Sequence, residues 1–167
     1  MFFTLYEKSH RIYSVPIEQT GGIFLMSITT IITDGIQIEK DNSLSFGNYQ
    51  SEEKIKINDF EHLGDNYVLR TSKEMNRLQK NGGLLIESIP GSSIHYFNAG
   101  DEKIVFDAYG FKSTQITLEL EPNTKYRIVI DDVVIDGSVT SNSSGKISFS
   151  TNLNEGKHNI LIEKNSL

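Results

Sequence analysis

The chain has 167 residues, of which 37% are hydrophobic and 23% charged, with Gly 13 and Pro only 3; this globular composition excludes a disordered or fibrous chain. Its net charge of −6 and pI near 5.2 exclude unaided binding to nucleic acid or to an anionic membrane, because such binding depends on Lys and Arg displacing counterions. With no cysteine there is no disulfide framework, thiolate metal site or Cys nucleophile.

Residues 1–25 differ in character from the rest of the chain. Met26 is preceded by Gln19-Thr20-Gly21-Gly22-Ile23-Phe24-Leu25, and Gly-Gly is a common translation of the purine-rich ribosome-binding sequence upstream of bacterial start codons. The segment is expected to be either a translated leader, with Met26 the start, or a genuine edge strand around Arg11–Val15. The longest apolar run, Ile23 to Ile32, is about half the length of a transmembrane helix and does not read as a secretory signal. The default compartment is the cytoplasm, with the cell envelope or a spore surface as the alternative.

From Met26 onward, β-branched and aromatic residues alternate with polar ones. This predicts strands over Ser27–Thr33, Ile36–Glu39, Ser43–Phe46, Lys54–Asn58, Tyr67–Thr71, Leu84–Ile89, Ile94–Phe97 and Ile104–Ala108. Between the fifth and sixth, Met75 and Leu78 sit three apart after a candidate cap at Ser72, so a short helical turn is predicted over 72–80, ended by Asn81-Gly82-Gly83. Pro90-Gly91 predicts a turn.

The C-terminal third carries the clearest pattern. Apolar residues recur with period two as Ile104/Phe106, Ile116/Leu118/Leu120, Tyr126/Ile128/Ile130, Val133/Ile135, Ile147/Phe149 and Ile160/Ile162. Turn-forming stretches separate them, among them Glu121-Pro122-Asn123, Asp131-Asp132, Ser141–Gly145 and Asn154-Glu155-Gly156. The expected architecture is all-β: an antiparallel β-sandwich module over 99–164, preceded by a smaller β-rich module over 26–98.

Leu120-Glu121-Pro122-Asn123-Thr124-Lys125-Tyr126 resembles the Leu-x-Pro-x-Thr-x-Tyr corner of fibronectin type III and immunoglobulin-like domains. The resemblance implies that Leu120, Pro122, Thr124 and Tyr126 form a structural corner, with the Tyr126 hydroxyl returning to the backbone upstream. The segments Leu44–Tyr49, Asp59-Phe60, Gly64–Tyr67, Leu78–Gly82 and Glu87–Gly91 are similar to small β-rich proteins of clostridia and their relatives, many of which are labelled endosialidase.

A sialidase needs clustered arginines for the substrate carboxylate. This chain has only Arg11, Arg70, Arg77 and Arg127, on separate elements, and lacks the Ser-x-Asp-x-Gly-x-Thr-Trp repeat, so the literal enzyme reading is rejected. The histidines at 10, 62, 95 and 158 show no zinc-site spacing and are expected on surfaces or strand faces; Asp131, Asp132 and Asp136 do not match a calcium loop. Nor does Ser141–Gly145 form a phosphate cradle. No cofactor and no metal are expected. His95 beside Ser92 and Ser93 admits a hydrolase reading, against which an outward-facing strand position is favoured.

The candidates for ligand contact are Tyr96, Phe97, His95 and Tyr67. The expected function is therefore non-catalytic: a binding or assembly role through a protein partner or self-association, with a carbohydrate-binding accessory module as the alternative.

Overall fold

The structure, a computed structural model, describes residues 2–8, 11–17, 27–28 and 30–166. Among these there is no helix, and the strands follow one another as β1 (Phe2–Lys8), β2 (Arg11–Ile17), β3 (Ser27–Ile28), β4 (Ile36–Ile38), β5 (Leu44–Phe46), β6 (Ile55–His62), β7 (Asp65–Thr71), β8 (Asn76–Lys80), β9 (Gly83–Ile89), β10 (Ser93–Ala99), β11 (Lys103–Tyr109), β12 (Ser113–Glu119), β13 (Lys125–Ile130), β14 (Val133–Thr140), β15 (Lys146–Asn152) and β16 (His158–Lys164). Strands β1, β2 and β3 pair in that order, so the Arg11–Val15 stretch lies within β2. Gly21, Gly22 and Met26, on which the leader reading rests, lie outside the described residues, as does His10.

The remaining strands make two antiparallel sheets that pack face to face. One has the order β14-β13-β16-β11-β10-β5-β4, the other β15-β12-β9-β8-β7-β6. Period-two alternation puts one side of every strand into the space between the sheets. Phe46, Leu69, Leu78, Ile86, Ile94, Phe106, Ile116, Leu118, Ile128, Ile147 and Ile162 meet there in a single cluster. Both sheets contain strands from before and after residue 99, and the 98/99 boundary falls just before the hairpin between β10 and β11. The segments 26–98 and 99–164 thus share one core, since strands of both are paired within each sheet and their buried residues form one cluster.

In place of the helical turn expected over 72–80, a tight turn at 72–75 leads into strand β8. Asn76 and Leu78 point inward while Arg77 and Gln79 do not, so period two, not three, governs the segment. Ser72 organises the preceding turn, its Oγ accepting from the Glu74 N–H at 3.2 Å and its N–H donating to the Met75 carbonyl at 2.8 Å. Asn81-Gly82, with φ of 49° and 84°, closes a two-residue hairpin between β8 and β9 instead of ending a helix. Leu63-Gly64 and Asp131-Asp132 also have positive φ at both positions, which matches the right-handed twist of the strands they join. Pro90-Gly91 carries the chain from one sheet to the other.

Candidate functional site

The four aromatic and histidine candidates do not share one surface. Tyr96 is 43% exposed and occupies a bulge with φ of 54°, where the register of β10 slips against both neighbours. Phe97, next to it, is buried against Phe46 and Phe106. His95 is only 3% exposed, which corrects the outward-facing expectation. Its Nε2 lies 3.0 Å from the Thr30 carbonyl, and its ring meets Tyr109 edge-on. The serines beside it are fully buried and engaged elsewhere: Ser92 Oγ shares a hydrogen bond with Ser88 Oγ at 2.6 Å, and Ser93 Oγ donates to the Gly47 carbonyl.

Tyr67 and Phe97, by contrast, converge. They line a cleft of about 310 Å³ at one end of the sandwich, between the two sheets. The seven-stranded sheet contributes the β4–β5 turn, Leu44 and the end of β10; the six-stranded sheet contributes the β6–β7 hairpin, Lys80 and Leu85. Leu44, Leu85 and Phe97 make its apolar part, and the exposed Leu63 stands at its rim. The size is at the lower limit of ordinary small-molecule sites.

One polar contact joins the two sheets across this cleft, and others brace each side of it. His62, at the end of β6, is buried, and its Nε2 lies 2.7 Å from the Asn42 carbonyl across the opening, which places the proton on that nitrogen. Asp41 Oδ1 accepts from the Ser43 hydroxyl at 2.5 Å and the Ser43 N–H at 3.0 Å. These two bonds, the hydroxyl's first, hold the Asp41 carboxyl below its ordinary range. Asp65 accepts from Asn81 Nδ2 at 2.7 Å and pairs with Lys80 Nζ at 2.9 Å; the Asn81 bond and then Lys80 lower its pKa, while Asp65 raises that of Lys80. Asn81 also accepts from the Asn66 N–H, locking the two hairpins side by side.

Tyr67 brings a further polar group to the cleft. Its ring is 7% exposed, and among the described residues no group hydrogen-bonds its hydroxyl. Burial pushes the phenol above its ordinary value, opposed by Lys80 and supported by Asp65, so it stays a neutral donor and acceptor. The hydroxyl is not among the buried polar atoms left without a partner, so it opens onto the cleft and is accessible to a ligand. The cleft offers this hydroxyl, the free oxygen of Asp41 and an apolar wall; the charges of Asp65 and Lys80 are already neutralised as a pair.

The sequence pointed to Tyr67 and Phe97 but not to Asp41, His62, Asp65 or Lys80. The signal for the last two lay in the dipeptides Leu63-Gly64 and Asn81-Gly82: read as hairpin turns, they bring 65 and 80 to neighbouring strand ends. Among the described residues no group of three or more His, Asp or Glu is placed to hold a metal ion, and no helix is long and apolar enough to cross a membrane. Comparison of the chain with family models, curated proteins and solved structures finds no match.

Proposed function

We propose that the chain is a non-catalytic binding module whose cleft takes a carbohydrate-sized ligand bearing hydroxyl groups. The unpartnered Tyr67 hydroxyl, at the wall of a 310 Å³ cleft, carries this reading: a ligand hydroxyl satisfies it, and the apolar face of a sugar ring packs on Leu44, Leu85 and Phe97. A carbohydrate is also what the resemblance to proteins labelled endosialidase implies. A glycan array followed by calorimetry tests the reading. The wild type is expected to retain one class of glycan, and Tyr67→Phe, which removes a single oxygen, to weaken it by about 1 kcal/mol, roughly fivefold. No retained glycan, or equal binding by Tyr67→Phe, removes the reading.

A second reading, self-association, is favoured by the outermost strand β14. Val133 on it is 63% exposed although its neighbours Ile130 and Ile135 pack on the core, so the apolar face runs out to an open edge. At the opposite side β4 is three residues long and β6 is broken by a bulge at Asp59, both devices that block strand addition. Light scattering across a concentration series, with Val133→Lys as the edge-blocking variant, tests it; a wild type that stays monomeric throughout sinks it.

A further inference from the structure

We propose that the outer face of the six-stranded sheet holds a second binding site, for a ligand carrying an oxyanion, either carboxylate or phosphate, with Lys56, Arg70 and Arg77 as its contacts. The strand register places these three in one row. Lys56 is opposite Arg70, Arg70 opposite Arg77, and Arg77 opposite Glu87. Their chain neighbours Leu69 and Leu78 are core, so alternation turns Arg70 and Arg77 to the outer face. Directly opposite side chains on a sheet have Cβ atoms about 4.5–5.5 Å apart, close enough for like charges to repel.

The row is left unneutralised. Three cations against the single carboxylate of Glu87 leave two positive charges in a chain whose net charge is −6. Four basic side chains elsewhere are closely paired: Lys80 with Asp65 at 2.9 Å, Lys164 with Glu121 at 2.7 Å, Lys73 with Glu52 and Arg127 with Glu163. Arg77 reaches Glu87 only at 3.4 Å, and its Nε is buried without a partner. Arg70 makes one long bond of 3.4 Å to the neutral amide of Gln79. Among the described residues Lys56 is in no ion pair.

An oxyanion between the two guanidinium groups reaches their terminal N–H groups, though not the buried Nε of Arg77. Guanidinium forks match carboxylate and phosphate oxygens with paired N–H donors, and the incoming charge cancels the repulsion along the row. One row of three cations accommodates a single anionic group. A nucleic-acid backbone needs a longer stripe and a protein that is not itself acidic. The site is on the opposite side of its sheet from the cleft and stands independently of it.

The test is a titration of the isotopically labelled full chain at low salt, in separate arms, with inorganic phosphate and with acetate, following the backbone amides of Arg70, Arg77 and Glu87 by NMR. A saturable shift is expected in at least one arm; phosphate alone assigns a phosphate-bearing ligand, acetate alone a carboxylate-bearing one. Arg70→Gln and Arg77→Gln are each expected to weaken the response about tenfold. Arg127→Gln, on the other sheet, is expected to leave it unchanged, and the dispersion of each spectrum reports that the variant is folded. No saturable shift in either arm overturns the proposal. So does an unchanged response in both row variants, or an equal loss in Arg127→Gln.

Discussion

The Tyr126 hydroxyl accepts a hydrogen bond from the backbone N–H of Glu121 at 3.1 Å, so a ring buried in the core also pins the turn by which the chain changes sheets. Thr124 Oγ1 donates to the Pro122 carbonyl and Ser141 Oγ to the Glu121 carbonyl, which leaves the turn little freedom to reopen. Tyr126→Phe keeps the ring and removes only the acceptor. It is expected to cost about 1 kcal/mol, read as a lower urea midpoint with an unchanged slope.

Gly145 tests the same corner from its other side. It has φ of +82°, and a Cβ there would lie 2.0 Å from the Leu120 carbonyl oxygen, whose own N–H donates to the Gly145 carbonyl. Gly145→Ala therefore meets both backbone strain and a clash, and a loss of about 2 kcal/mol or more is expected. Gly156, with φ of +102° and open space around it, isolates the strain alone. Gly156→Ala is expected to cost only about 1 kcal/mol. Thermal unfolding of the two variants makes the comparison, and equal losses would contradict it.

His158 gives stability a pH dependence. Burial works against its charged form, but the Asn154 carbonyl and the Asp131 carboxylate, each 2.7 Å from a ring nitrogen, outweigh burial and raise its pKa above the ordinary 6.5. A folded pKa above the unfolded one means stabilisation that is complete below 6.5 and lost as pH rises through the folded value. Wild type minus His158→Gln, compared by denaturation across that range, is expected to decline with pH. A flat difference would show that the Asp131–His158 pair contributes nothing.

Leu78 is fully buried, in the segment whose spacing suggested a helical turn. Leu78→Ala is expected to destabilise by about 2–5 kcal/mol, whereas the exposed neighbour Lys80 tolerates Lys80→Ala with a small loss because its ion pair is at the surface. Chemical denaturation separates the two. A mild Leu78→Ala would mean that β8 is not docked on the core.

Class and inward positions were legible because both are local. Alternation at Ile104/Phe106 or Ile147/Phe149 needs only neighbouring residues to declare a strand face, and Asp131-Asp132 declares a hairpin by its own backbone preference. The segment 72–80 misled for the same reason: so short a stretch holds too few apolar positions to tell period two from period three, and the deciding contacts, the pairing of Asn76 with Thr71 and Ser88, lie in other strands.

By itself the sequence determined that the chain is all-β and where many of its strands and turns fall. Only the tertiary structure decided that residues on both sides of position 99 share one core, that Tyr67 and Phe97 meet at a cleft while His95 and Tyr96 do not, and that Arg70 and Arg77 stand side by side. The physical reason is range. Strand formation is written in adjacent residues, whereas sheet order, register and the juxtaposition of charges follow from which strands bury one another's apolar faces, a choice made by the whole chain at once.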